Sequence, residues 1–304
     1  MSLEINYPKI SIVTPSFNQV DYLEKTILSV INQNYPNLEY IIIDGGSTDG
    51  CVDVIKKYEK KLTYWISEPD NGQYDAINKG FSRCNGDIMA YINSDDIYHP
   101  SAFSVVAEIF SKFPDVEWLT SLYPTTVNYR DQIISCGIYG GFDRNSFYRG
   151  VYVPRTDNVP GYCIQQESTF WRRTLWVKAG SSINSSMKCA GDFDLWSVFF
   201  QHSDLFGVYS FLGVFRNHQK QKTATQISLY LQEVELILNQ YNIKPYNRLH
   251  YSLRCYVNFL LGKFYNGKIF SPFGKILMRM GIFYPVNVII WDSTQWAVKI
   301  NYVI

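Results

Sequence analysis

Four short apolar runs in the first hundred residues, each broken off by a polar loop, constrain this chain most. Ile10 to Thr14 ends at Pro15-Ser16-Phe17-Asn18, and Asn37 to Ile43 ends at Asp44-Gly45-Gly46-Ser47-Thr48-Asp49-Gly50. Leu62 to Ser67 ends at Glu68-Pro69-Asp70-Asn71-Gly72, and Ile88 to Ile92 ends at Asn93-Ser94-Asp95-Asp96. Continuous apolar runs of this length read as strands buried on both faces. Between them, Tyr22 to Gln33, Val52 to Lys60 and Tyr74 to Ser82 read as helices; the first carries Leu23, Ile27, Leu28 and Ile31 at helical spacing. Strand and helix alternate, which predicts an α/β fold: a Rossmann-like, mostly parallel sheet flanked by helices, with right-handed crossovers. Such sheets bind ligands at the carboxyl ends of their strands.

Asn93-Ser94-Asp95-Asp96 therefore sits where a ligand is expected. Adjacent carboxylates repel each other and persist most easily beside a cation or a donor-rich ligand. A divalent-metal site facing a phosphorylated ligand is one reading. A turn capping a helix that begins near Ser101 is the other. Asp44 at the second loop can accept from a base N–H or a ribose hydroxyl, and Gly45 and Gly46 permit close approach of a ligand. Lys79 can meet a phosphate and Asp75 a nucleoside; an ordinary capped helix explains both equally.

Composition narrows the class. With 46% hydrophobic and 18% charged residues the chain has the makings of a core, which excludes disorder. Residues 226–304 hold eight Lys or Arg against three acids, so a basic, aromatic tail follows a slightly acidic front. That asymmetry argues against nucleic-acid binding and points to an anionic partner for the tail. Six scattered cysteines without a C-x-x-C pair exclude a zinc ribbon and read as reduced thiols. No signal peptide and no apolar stretch of about 18 residues is read, so a cytoplasmic location is expected. The middle, Glu117 to Tyr162, mixes strands and glycines and is either a substrate cover or merely irregular. A boundary is expected near residues 220–226. It separates a catalytic domain, 1–222 (ligand side about 8–100, acceptor side about 117–222), from a helical C-terminal region, 223–304, divided by Pro245, Pro272 and Pro285.

Ser11 to Asn18, Ile42 to Gly50, Gly72 to Gly80 and Asn93-Ser94-Asp95-Asp96, in that order and spacing, resemble glycosyltransferase family 2. These are the inverting nucleotide-sugar transferases of GT-A fold, including bacterial surface-polysaccharide enzymes. The resemblance covers about residues 8 to 222. It implies a nucleotide sugar, with UDP favoured through the family, held by Thr14, Pro15, Phe17, Asn18, Asp44, Gly46, Asp75, Asn78, Lys79, Asn93, Ser94, Asp96 and Arg216. It implies Mn²⁺ or Mg²⁺ on Asp95, with His218 as a further ligand. Ala190 to Trp196 resembles the family's base segment and places the catalytic base on Asp192, with Asp194 capping a helix from Leu195. Gln165 to Trp171 resembles the acceptor side and offers Glu167 and Trp171 to a saccharide. Two departures stand out: Gly45 replaces a second acid, and Asn93 replaces the first acid of the metal motif.

The implied acceptor is a saccharide or lipid-linked saccharide at the inner face of a bacterial membrane. Asn258 to Tyr265 and Lys275 to Met280 interleave aromatics with Lys and Arg, as basic membrane-surface helices do. A packing subdomain or a homodimer contact fits the tail as well. A nucleotidyltransferase of related fold would need a basic glycine-rich loop that Thr14 to Asn18 is not. A non-catalytic sugar-binding module would not need Asp95 and Asp192 together.

Overall fold

A computed structural model describes residues 7–153, 162–219, 221–243 and 284–303. The elements run β1 (Ile10–Ser16), α1 (Val20–Ile31), β2 (Leu38–Asp44), α2 (Cys51–Tyr58), β3 (Tyr64–Ser67), α3 (Gln73–Phe81) and β4 (Ile88–Tyr91). Then follow β5 (Ile97–Tyr98), α4 (Ala102–Lys112), β6 (Trp118–Ser121), β7 (Thr125–Asn128), β8 (Ile133–Cys136) and α5 (Arg144–Tyr148). The remainder is β9 (Phe170–Arg172), α6 (Arg173–Lys178), α7 (Gly191–His202), β10 (Phe206–Val208), β11 (Gly213–Asn217), α8 (Lys222–Thr225), α9 (Ile227–Asn239), β12 (Tyr284–Trp291) and β13 (Trp296–Val303).

A nine-stranded sheet has the order β13-β12-β10-β6-β9-β4-β1-β2-β3. β1 pairs in parallel with β2 and β4, and β2 with β3. The first four strands are therefore the parallel set expected from their apolar runs. Every residue of β1 and β4 is buried, as a central strand covered on both faces requires. The register sets Ser16 beside Asp44 and Val13 beside Tyr91. The loops after β1, β2 and β4 thus open at one sheet edge. β9 enters antiparallel between β4 and β6, and a four-stranded sheet, β5-β11-β7-β8, stands beside that edge.

Two expectations change here. The C-terminal region is helical over α8 and α9, but residues 284–303 form an antiparallel hairpin whose first strand joins β10 in parallel. Val286, Val288, Ile289 and Ile290 are β-branched, and the first three are buried, so strand packing wins over the helix read after Pro285. The basic segments Asn258 to Tyr265 and Lys275 to Met280 lie outside the described residues. The second change concerns α7, which begins at Gly191 rather than Leu195. Asp194 therefore lies within its first turn and is not its cap.

Candidate active site

Asp44 is wholly buried at the end of β2. Its Oδ2 accepts from the Ser47 and Gly46 amides at 2.8 and 3.2 Å and from Ser67 Oγ at 2.7 Å; its Oδ1 accepts from Ser47 Oγ at 2.6 Å. Oδ2 is thereby saturated with three donors, while Oδ1 takes a single one. Asp44 thus organises its own loop. The neighbouring departure, Gly45, has a spatial answer. A Cβ at Gly45 would stand 2.7 Å from Asp70 Oδ2. Asp70, after β3, brings its carboxylate to the place of the missing second acid. The sequence offered two signals for it, the glycine at 45 and an acid just past the third strand.

Other donor-side residues divide between lining and support. Phe17 is 59% exposed at the rim. Asn18, at φ 52°, ties the first loop to the second through Thr48 N–H at 3.0 Å. Thr14 and Pro15 are buried within β1, and Thr14 Oγ1 bonds Tyr40 Oη at 3.1 Å; both support the loop from beneath. Asn78 is a staple, with its amide bridging both backbone groups of Ile183 at 2.7 and 2.8 Å. Lys79 lies 3.4 Å from Glu68 and 3.5 Å from Asp75, on the third loop and α3. These are long, partly exposed ion pairs.

The Asn93-to-Asp96 turn splits its carboxylates. Asp96 is 1% exposed; Oδ1 accepts from Arg216 N–H at 2.9 Å and Oδ2 from Asn93 Nδ2 at 3.2 Å. Burial, then the charges of Asp95 and Glu167, hold its carboxyl well above the usual carboxylate range. Asp95 faces the other way, with Oδ2 2.9 Å from Nε2 of His218. Arg216, on β11, is completely buried: Nε donates to the Asp95 carbonyl at 2.7 Å, one Nη pairs with Asp131, and Nη2 has no partner among the described residues. Asn93 Oδ1 accepts from Gln73 Nε2 at 2.6 Å, and Lys222 Nζ donates to Gln73 Oε1 at 3.1 Å. Lys222 is thus a cation at the rim that sequence reading missed. Ser94 is buried, and its carbonyl accepts from Thr26 at 2.9 Å.

Asp192 occupies the first turn of α7, where Oδ1 accepts from Phe193 N–H at 2.8 Å. Burial raises its pKa to about 6. Glu167 is 3% exposed, and its Oε1 has no hydrogen-bond partner among the described residues. Burial, with the charges of Asp192 and Asp95, raises its pKa to about 8. One buried carboxyl therefore feels both the Asp95 and the Asp192 charges. Trp171 does not belong with them. It is fully buried among Phe81, Tyr91, Trp176, Trp196 and Phe199, so it is core rather than an acceptor platform. Gly191 is explained by contact, because a Cβ there would stand 2.7 Å from the Tyr74 ring.

The donor set suits a divalent ion in a specific way. Among the described residues no cluster of three His, Cys, Asp or Glu side chains is arranged to hold a metal. Asp95 and His218 present one carboxylate oxygen and one imidazole nitrogen to each other. Mg²⁺ and Mn²⁺ accept such a sparse protein set when phosphate and water oxygens supply the rest.

Parallel sheet, polar loops at one edge and a paired acidic turn define a nucleotide-diphospho-sugar fold of GT-A type. A family model described as glycosyl transferase family 2 matches residues 11–175, and the chain belongs to that family. It is 42% identical over 102 residues to the uncharacterized glycosyltransferase Rv1514c of Mycobacterium tuberculosis, covering 33% of this chain and 38% of the relative. It is 40% identical over 92 residues to the putative teichuronic acid biosynthesis glycosyltransferase TuaG of Bacillus subtilis, covering 29% and 36%. These matches span little more than a third of either relative's length. Among solved structures, S. aureus TarS 1-349 in complex with UDP-GlcNAc superposes with a TM-score of 0.59 at 14% identity, covering 80% of this chain and 69% of that one. The mannosyltransferase PcManGT from Pyrobaculum calidifontis, in complex with GDP-Man and Mn²⁺, gives 0.55 at 14% identity, covering 92% and 81%.

Proposed function

We propose that this chain is an inverting, metal-assisted glycosyltransferase that moves a sugar from a nucleotide sugar, of UDP type, to an acceptor hydroxyl. The observation that carries the reading is Asp192, a carboxyl with a pKa of about 6 at the edge that also holds the Asp95–His218 pair. A base with a pKa near the working pH takes a proton most effectively. Asp192 takes the proton of the acceptor hydroxyl, which attacks the anomeric carbon opposite the nucleotide. The anomeric carbon–oxygen bond breaks as the new one forms, and the diphosphate leaves. Asp95 and His218 would hold a divalent ion, whose charge would offset that of the leaving group. Lys222 adds a cation at the rim, and Asp70 presents the acid that faces the nucleobase. Glu167, kept protonated by burial, offers a hydrogen bond to a sugar hydroxyl.

Resemblance to TuaG, named for teichuronic acid biosynthesis, supports surface-polysaccharide synthesis as the setting, and a lipid-linked saccharide is the acceptor class we propose. The basic run within 244–283 is our site for contact with the anionic inner leaflet. No helix among the described residues is long and apolar enough to cross a membrane. Nucleotide release across a panel of nucleotide sugars, with and without chelator, tests the main reading. Release from one donor that depends on added Mn²⁺ or Mg²⁺ is expected. No release from any donor would overturn the proposal, and equal release in chelator would remove the ion from it. Liposome flotation of the chain bearing Lys263→Glu, Lys275→Glu and Arg279→Glu tests the membrane contact; recovery equal to wild type would dismiss it.

A further inference from the structure

The loop that leads into the base is held from outside the family-matched segment. Glu233 lies on α9 and is 7% exposed. Its Oε1 accepts from the Lys188 amide at 2.7 Å, and its Oε2 accepts from Cys189 at 2.9 Å and Ala190 at 2.8 Å. Those three residues immediately precede Gly191, the first residue of α7, and Asp192 is the second. Three consecutive amides on one buried carboxylate form a strong, charge-assisted set. The other side of the loop is fixed as well. Tyr74 Oη donates to the Cys189 carbonyl at 2.7 Å, and the Tyr74 ring fills the space beside Gly191.

We infer that Glu233 is a positioning residue for the base: it fixes the Lys188-to-Ala190 backbone and so sets where Asp192 meets the acceptor hydroxyl. The inference rests on the reading of Asp192 as the base. Three features favour this over general packing. α9 already buries Val234 and Ile237, so its adhesion does not require a carboxylate. Gly191 has no side chain with which to anchor the loop. All three amides belong to one stretch, so a shift of Glu233 moves that stretch as a unit. The groups acting on or facing Asp192 are Tyr74 from α3, Tyr91 from β4, Tyr230 and Glu233 from α9, Cys163 and Cys189 from the loops, and Glu167 before β9. Glu233 is thus also a negative charge that disfavours ionisation of the base.

The test uses the full chain with Glu233→Gln, Glu233→Asp and Asp192→Asn, its donor identified by the nucleotide-release panel. Misplacing a catalytic group by about 1 Å costs on the order of 10²-fold in rate. Glu233→Gln is therefore expected to lower kcat by at least about tenfold while donor KM stays within about twofold. The acid limb of its pH profile moves to lower pH, and Glu233→Asp recovers part of kcat. Unchanged kcat with an unmoved limb would overturn the inference, as would kcat and donor KM deteriorating together. Full activity in Asp192→Asn overturns the base assignment itself; an inactive Asp192→Asn beside a wild-type Glu233→Gln overturns only the role of Glu233. Hydrogen exchange on the wild type covers the case in which a variant does not fold. The amides of residues 188–190 should exchange at least about 10²-fold more slowly than free peptide, and unprotected rates there refute the clamp.

Discussion

Replacing Asp192 by Asn should make the protein more stable and nearly inactive at once. In the folded chain this carboxyl has a pKa of about 6, against an ordinary 3.8. A rise of that size corresponds to about 3 kcal/mol at most, and residual solvent contact reduces that to about 1–2 kcal/mol. The sign follows from proton counting. Between about pH 4 and pH 6 the folded form holds a proton that the unfolded form has released, so rising pH destabilises the native state across that window. Above it the cost is constant. Asn cannot ionise and still accepts from Phe193 N–H, so its advantage should be absent near pH 4 and complete by about pH 7. For a chain of this size it corresponds to a few degrees in Tm, at roughly 2–4 °C per kcal/mol. Paired thermal melts of wild type and variant from pH 4 to pH 8 measure the difference, with transfer activity followed in parallel. A variant less stable than wild type at pH 7.5, or a difference that does not change with pH, would refute the reasoning.

Gly191→Ala places a methyl 2.7 Å from the Tyr74 ring; it should cost about 1–3 kcal/mol in denaturant melts and lower kcat more than it raises donor KM. Trp171→Phe should cost about 1–3 kcal/mol yet leave acceptor KM of the folded fraction unchanged, because the ring lies in the core. Asp95→Asn should reduce kcat by roughly 10²-fold or more and raise the Mn²⁺ concentration needed for half-activity, read by metal titration after chelation.

The parallel strands were legible because each is a largely apolar run, and in β1, β2 and β4 burial on both faces leaves no alternation to confuse the reading. The acidic turn was legible for the same reason, standing where such a run must end. Long-range contacts were not. That Asp44 also accepts from Ser67 shows only once β3 lies beside β2. Trp171 looks like a sugar platform until five aromatic neighbours from β4, α3, α6 and α7 enclose it. Glu233 carries no local pattern, and Asp70 only a position just past a strand; their partners, residues 188–190 and Gly45, lie about 45 and 25 positions away in the chain. The tail hairpin was misjudged because Pro285 reads as a helix divider, whereas it stands at the start of a strand whose β-branched residues pack against the sheet.

The placement of β12 has a consequence for how the chain is made. β10 is three residues long and pairs with β6 on one side and β12 on the other. Its second partner is Asn287–Ile289, some 80 residues later. During synthesis the parallel strands β1 to β4 can assemble early, but β10 has an open side until Asn287–Ile289 emerge. An unpaired strand edge invites association with other chains. The interval between the emergence of β10 and that of β12 is therefore the one in which pairing with another chain competes with the native partner.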